Sequence, residues 1–153
     1  MSPVSGSLRP ATRADADALA EVHAGAFDAP WSAAAILRFA EDPGGFALAV
    51  EAEAGLAGFI VCRVMAGEAE VLTLAVQPGH RRRGVARSLL GGAIALAAQT
   101  AGAMFLEVAE DNPAAVALYA QAGFSPVGRR VGYYRRNAAP SVDAIVMRRT
   151  LNT

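Results

Sequence analysis

The chain has 153 residues, a formal net charge of zero and a single cysteine. That length suits one domain spanning 1–153. The balanced charge argues against a general nucleic-acid binder, and one Cys excludes an internal disulfide framework and fits a reducing compartment. Composition is 54% hydrophobic, much of it Ala, but the longest apolar run, Leu89 to Ala98, is interrupted by Gly91 and Gly92 and is too short to span a bilayer.

The first residues, M-S-P-V-S-G-S, lack a basic segment followed by an apolar core. No secretory signal is expected, and a cytoplasmic location follows by default. Leu8 to Pro10 reads as a short strand. Asp15 to Phe27 reads as a helix with Leu19, Val22, His23 and Phe27 on roughly one face. Pro30 interrupts, and Ser32 is a suitable N-cap for a second helix, Ala33 to Ala40. Asp42-Pro43-Gly44-Gly45 is a turn; Phe46 to Glu51 and Leu56 to Met65 form a hairpin around Ala54-Gly55. Glu68 to Val76 is the next strand, continuing as far as Pro78. A helix begins near Gly84, with Val85, Leu89, Gly92, Ala93 and Leu96 at helical spacing. Ala103 to Ala109 is an apolar strand. Asn112 and Pro113 open a further helix that Gly123 closes. Two more strands follow, roughly Pro126 to Arg135 and Val142 to Leu151, joined by an Asn/Pro/Ser-containing loop. Strands before and after two central helices indicate an α+β protein with a mostly antiparallel sheet.

The stretch from Leu72 to Phe124 carries the functional signal. A strand runs into the basic turn Gly79 to Arg83 and then into a helix. The first N–H groups of a helix lack internal partners, and the macrodipole adds positive character there. Arg81, Arg82 and Arg83 add charge, and Gly84 lets a phosphate approach the backbone without meeting a Cβ. A solvated basic turn is the plain alternative. No G-K-[ST] follows, so this is not a P-loop. Of the glycines in a dinucleotide fingerprint only Gly84 is present, Ala86 and Leu89 standing at the other positions. Glu107 lies about where that motif's ribose-binding acid would fall, which keeps a dinucleotide site as a rival.

Glu107 interrupts the apolar strand A-M-F-L-E-V-A. Alternation puts Phe105, Glu107 and Ala109 on one face and Met104, Leu106 and Val108 on the other. A carboxylate in such surroundings suits a general base, although a solvent-facing Glu on a half-buried strand has the same pattern. Tyr119 falls among Val116, Leu118 and Ala120, an ordinary core position. Asn112 is fully explained as a cap. Cys62, inside F-I-V-C-R-V, reads as a small buried hydrophobe. His23 and His80 have no partners at ligand spacing, so no metal is expected. The pairs Arg129-Arg130, Arg135-Arg136 and Arg148-Arg149 read as solvated strand ends.

R-R-R-G-V-A resembles the [QR]-x-x-G-x-[GA] turn of the GNAT N-acetyltransferases. L-A-V-Q-P, L-E-V-A-E-D-N-P-A-A-V-A-L-Y, A-G-F, D-A-I-V-M and the early A-P-W-S resemble the RimI type within that family, the ribosomal-protein N-terminal alanine acetyltransferases. The combination covers most of the chain. It implies the GNAT fold: a mixed, mostly antiparallel central sheet of about six to seven strands flanked by about four helices, splayed near the cofactor. It implies acetyl-CoA as donor, its pyrophosphate held by Arg81, Arg82, Arg83, Gly84, Val85, Ala86 and Arg87, with Asn112 touching the CoA arm. The thioester strand corresponds to Leu74, Ala75 and Val76. Glu107 would take the proton from the amine and Tyr119 would return one to the leaving thiolate. Trp31, Tyr133 and Tyr134 would wall a peptide groove, although Gly132 departs from the family's spacing there. Glu21, Asp28, Glu68 or Glu70 would attract basic residues of the acceptor. The implied partner is the N-terminal peptide of a ribosomal protein, small-subunit protein 18. The enzyme is expected to be monomeric, without metal, direct nucleic-acid contact or membrane association. The alternatives are a GNAT enzyme for lysines, polyamines, antibiotics or other small amines, and a CoA-binding regulatory module without turnover.

Overall fold

Apolar alternation and helical periodicity resolve into seven strands and four α-helices in the computed structural model, which describes residues 7–53, 55–81, 84–136 and 139–151. In chain order they are β1 (Leu8–Pro10), α1 (Ala16–Ala26), α2 (Ala33–Glu41), β2 (Gly45–Ala52), β3 (Gly55–Met65), β4 (Glu68–Val76), α3 (Val85–Ala97), β5 (Ala103–Ala109), α4 (Pro113–Gln121), β6 (Ser125–Arg136) and β7 (Ala139–Thr150). Helices α2 and α4 start where side chains satisfy orphan amides. Ser32 Oγ accepts the Ala35 N–H at 3.1 Å, and Asn112 Oδ1 accepts the Ala115 N–H at 3.2 Å, just before Pro113. Each such cap is worth ~1 kcal/mol.

The strands form one sheet in the order β1-β2-β3-β4-β5-β7-β6. Every neighbouring pair is antiparallel except β4–β5. A doubly wound parallel sheet is therefore absent, and the dinucleotide-binding rival falls with it. Strand β7 enters between β5 and β6, so the last two strands form a hairpin that leans on β5. Both are longer than the sequence pattern indicates, running to Arg136 and starting at Ala139.

The sheet is covered on both faces. On one, α3 and α4 pack through Val85, Leu89, Leu90, Ala93, Ala97 and Tyr119 onto Leu48, Val50, Ile60, Cys62, Met104, Leu106, Val108 and Met147. The buried stripe of α3 is shifted from the expected one: Leu96 is exposed and Leu90 and Ala97 are buried. On the other face α1 and α2 bury Leu19, Val22 and Ile36 against Ala47, Ala49, Phe59, Val61 and Ala75. Their main packing is on β2, β3 and β4. Cys62 is wholly buried, and burial pushes its thiol far up, as a core residue requires.

Strand β4 is irregular at one position. Val61 pairs with Thr73, but Cys62 pairs with Val71, which leaves Leu72 as an extra residue. The bulge shifts the alternation by one step. Ala69 and Val71 face the α3 side, Leu72 turns towards the α1 side, and Leu74 and Val76 return to the α3 side. The strand ends at Val76. Pro78, which has no N–H to give a ladder, lies instead in a 3-10 turn, Pro78–His80.

Candidate active site

Strands β4 and β5 pair only at Glu68–Ala103, Ala69–Met104 and Glu70–Phe105 among the described residues. Beyond Glu70 the two strands run on without that ladder, and the sheet opens between them. The amides facing this opening follow from the antiparallel register of β4 with β3. The Gln77 N–H donates to the Ala57 carbonyl at 2.8 Å, so this opposed pair is a hydrogen-bonded one. Alternation makes Ala75–Phe59 hydrogen-bonded too, and turns the N–H groups of Leu74 and Val76 away from β3. Of the expected trio, Leu74 and Val76 therefore offer donors to the opening, while the Ala75 N–H is spent on the sheet.

The same end of β4 leads to α3. Gly84 occupies its N-cap with φ 79° and ψ 9°, a left-handed conformation that favours Gly over residues with a Cβ. The first intrahelical bond is Ser88 N–H to the Gly84 carbonyl at 2.9 Å. The N–H groups of Val85, Ala86 and Arg87 thus precede the ladder and are the helix's orphan donors. The Val85 side chain is core; its backbone alone is available. Arg81 is exposed at the turn, and Arg87 is exposed with Nη2 3.3 Å from Gln121 Oε1, tying α3 to the end of α4. Arg82 and Arg83 lie outside the described residues. A Gly cap, three amides and two arginines fit a pyrophosphate, which needs close backbone approach and positive charge. Asn112 is exposed and holds its capping bond.

On the α1-side face of the sheet, Glu107 stands on β5 opposite Val146 of β7. Its side chain is 18% exposed, and the expected apolar setting is corrected by a cation: Arg130 Nε lies 2.9 Å from Glu107 Oε1. Arg130 is therefore paired as well as largely solvated. Its guanidinium lies over the Tyr133 ring, 5.2 Å from the centroid. Arg129 instead pairs with Glu110 and with Asp143, and Arg149 Nη1 donates to the Ala122 carbonyl at the end of α4. The Gly132 spacing now has a structural reason. Three β6 residues, Val131 to Tyr133, face the single β7 residue Asp143. Gly132 takes φ 63° and donates its N–H to Asp143 Oδ1 at 2.8 Å. That bond, and Arg129 beside it, hold the Asp143 carboxyl below its usual range. The Tyr134 side chain lies outside the described residues. Glu70, expected to draw basic acceptor residues, has its carboxylate 3.4 Å from Arg63.

Tyr119 is buried in the α3/α4 core, edge-on to Phe124 at 6.1 Å. It lies on the opposite face of the sheet from Glu107. Trp31 is half-buried in the α1–α2 connection, with its ring contacts to His23 and Phe39. Among the described residues no three His, Cys, Asp or Glu side chains gather in a metal-binding group, and no helix is long and apolar enough to cross a membrane.

One buried residue at the site carries no motif. His23 is 2% exposed. Its Nδ1 accepts the Trp31 N–H at 3.0 Å, so Nε2 carries the proton and donates to Thr73 Oγ1 at 3.1 Å. Phe27 and Trp31 stack on it with centroids 4.4 Å and 5.2 Å away. His23 so ties α1 and the loop that follows it to the residue immediately after the bulge. Its only sequence signal is an imidazole on the apolar face of α1.

Residues 16–124 match the model of the acetyltransferase (GNAT) family. The chain is 39% identical over 144 residues to N-alpha-acetyltransferase RimI of Mycobacterium tuberculosis, covering 90% of this chain and 88% of that protein. It is 37% identical over 101 residues to the ribosomal protein bS18-alanine N-acetyltransferase of Salmonella typhimurium, covering 65% and 68%. The crystal structure of the ribosomal-protein-S18-alanine N-acetyltransferase from Escherichia coli superposes with a TM-score of 0.89 at 26% identity, over 97% of this chain and 95% of that one.

The His23 clamp gives the stability a pH dependence. Burial pushes its imidazole down. The unfolded chain takes up a proton near the ordinary value of about 6.5 while the folded chain resists it, so stability is full above that pH and falls as pH drops below it. Asp15, held at about 2 mainly by its bond to Arg9, titrates well below this window. Thermal unfolding between about pH 7.5 and 5.5 is expected to show a falling Tm, and His23→Gln a flatter profile from a lower start. An unchanged slope in the variant would assign the effect elsewhere.

Proposed function

The chain belongs to the GNAT acetyltransferase family, and on that premise we propose that it acetylates the α-amine of a protein N-terminus beginning with Ala, on a ribosomal protein of the small-subunit protein 18 type. Acetyl-CoA is the acetyl donor of this family. The observation that carries the reading is the opening between β4 and β5, with Glu107 on one face of the sheet and the α3 N-terminus and Tyr119 on the other. A direct transfer needs an amine arriving from one side and a thiol leaving on the other. The names of the similar bacterial proteins support the choice of acceptor.

The residues divide the work as follows. The N–H groups of Val85, Ala86 and Arg87, with Arg81 and Arg87 side chains, hold the pyrophosphate at the helix start. Acetyl-CoA, when bound, supplies the acetyl thioester. The N–H groups of Leu74 and Val76 receive its carbonyl oxygen and stabilise charge developing there. Glu107 accepts a proton from the acceptor's ammonium, directly or through water, and leaves a free amine to attack. As the amine forms the C–N bond and the C–S bond breaks, Tyr119 donates its proton to the departing sulfur, and the new amide nitrogen loses its extra proton to water, from which Tyr119 is reprotonated. An α-amine near pKa ~8 asks less of a single carboxylate than a lysine near ~10.4. Holding both reactants in one opening provides much of the acceleration. Trp31 and Tyr133 border the acceptor's path.

Gly84→Val is expected to fold and to lose acetyl-CoA affinity, because a β-branched residue resists the left-handed cap and puts a side chain where phosphate must approach. Calorimetry finding unchanged affinity would remove this turn from the cofactor site. Glu107→Gln should keep cofactor binding and lower kcat by roughly two to four orders of magnitude, with partial rescue at higher pH as the amine loses its own proton. Tyr119→Phe should reduce kcat more than affinity; wild-type rates in either variant would return that residue to structure alone. The acceptor is tested by competing an Ala-initiated peptide against the same peptide blocked at its N-terminus and carrying internal lysines. Comparable kcat/KM on the blocked peptide would favour a lysine or small-amine acetyltransferase.

A further inference from the structure

Resting on the reading of Trp31 as a border of the acceptor's path and of Leu74 as a donor to the thioester carbonyl, we infer that His23 is a positioning residue for the reaction, whose imidazole sets the acceptor loop through one nitrogen and the thioester strand through the other. The ring is 2% exposed and is bonded at both ends. Nδ1 accepts the Trp31 N–H at 3.0 Å, and Nε2 donates to Thr73 Oγ1 at 3.1 Å. Phe27 and Trp31, near the two ends of the connection from α1 to α2, both stack on it, and Phe39 of α2 tilts against Trp31 at 5.0 Å. The connection is thus fixed near both ends by a single ring. It stands beside the opening. A Cβ on Gly25 would lie 3.5 Å from Gln77 Oε1 and 3.8 Å from Pro78 Cδ, so the last turn of α1 rests against the chain that leaves β4.

A neutral imidazole combines two flat faces for aromatic rings with one in-plane acceptor and one in-plane donor. A phenyl ring would stack as well, but it would leave the Trp31 amide and the Thr73 hydroxyl without this partner, and a buried polar group so left destabilises the fold. On β4 the bond acts where the register is irregular. Leu72 is the extra residue, Thr73 follows it opposite Val61, and Leu74 comes next. Thr73 is 7% exposed, and its hydroxyl is fastened to α1. Fastening Thr73 restrains the peptide plane that joins it to Leu74, and that plane carries the Leu74 N–H. The two ends of the imidazole therefore serve different steps. The Trp31 end sets the border of the acceptor's path and bears on acceptor binding. The Thr73 end aims an amide donor at the developing oxyanion and bears on the chemical step.

The experiment separates the two ends. His23→Gln places a side-chain amide N–H near the position of Nε2 and lacks the Nδ1 acceptor, whereas His23→Asn places an amide oxygen near Nδ1 and does not reach Thr73. Steady-state kinetics use the full chain, an Ala-initiated peptide and saturating acetyl-CoA. His23→Gln is expected to raise the acceptor KM about tenfold with kcat nearly kept, the scale of one buried amide deprived of its partner. His23→Asn is expected to do the reverse, keeping the acceptor KM and lowering kcat about tenfold, a smaller loss than removal of an oxyanion donor outright. Thr73→Val should repeat the kcat loss with His23 intact, and Thr73→Ser should restore it. Tm and acetyl-CoA affinity report whether each variant folds. Parallel changes of KM and kcat in both histidine variants, wild-type kinetics in either, or full kcat in Thr73→Val overturns the inference. Where the histidine variants do not fold, the Thr73 pair alone decides it. If wild type leaves the Ala peptide unmodified but acetylates lysine in a blocked peptide, the reading of the acceptor falls, and the same separation measured on the lysine peptide decides the inference.

Discussion

The constraint on which the site depends is a hydrogen-bond ladder that stops. Among the described residues, β4 and β5 are the one parallel pair in the sheet, and their pairing ends at Glu70 and Phe105. A backbone edge inside a protein normally finds a partner, because an unpaired buried amide costs free energy comparable to a lost hydrogen bond. Here the unpaired edges face each other across an opening, and the N–H groups of Leu74 and Val76 line one side. Leu72 belongs to the same device. By adding a residue opposite β3 it re-aims the strand, sending Leu74 and Val76 to the α3 face while Thr73 stays with His23. The amide donors thus need no special side chains, only a register and a bulge held by two packed faces.

Those faces are held by unlike means. The α3/α4 side is an apolar core with Tyr119 among its aliphatic residues. The α1/α2 side covers β2 to β4 and closes on a buried neutral imidazole between a loop amide and a hydroxyl. Beyond it, the face of β5, β7 and β6 carries charge: Glu107 with Arg130, and Arg148 over Phe105. Apolar packing fixes the opening, and polar residues set what meets there.

The elements themselves were written plainly in the chain. Ser32, Asn112-Pro113 and Gly123 mark helix ends because their chemistry is local, and the strand alternation around Glu107 survives intact because β5 is regular. The fold class and family follow from motifs that bring those local signals together. What the sequence concealed depended on long-range register. No local pattern says that Leu72 is supernumerary, since a bulge exists only relative to β3. The Arg130–Glu107 pair joins strands separated by a helix and a turn, so two arginines at a strand end look merely solvated. His23 looks like one more core position until Thr73 and the Trp31 amide come to it. The α3 stripe shifted because Ala, Gly and Leu alternate there with little contrast, and burial was decided by what the sheet offered.

The position of β7 has a consequence for the order in which the molecule can be built. Strands β2, β3 and β4 form a meander joined by tight turns, so their pairing closes short loops, while β1 reaches β2 across α1 and α2. β5 is different: its full-length partner is β7, across an intervening helix and strand. During synthesis the meander and its helices can acquire structure while later residues are still being added, but Glu107 remains on a strand paired only at Glu68–Glu70 until Ala139–Thr150 arrive to insert between β5 and β6. Assembly of the acceptor face is thereby coupled to the last long-range step of folding, so partly made chains lack it.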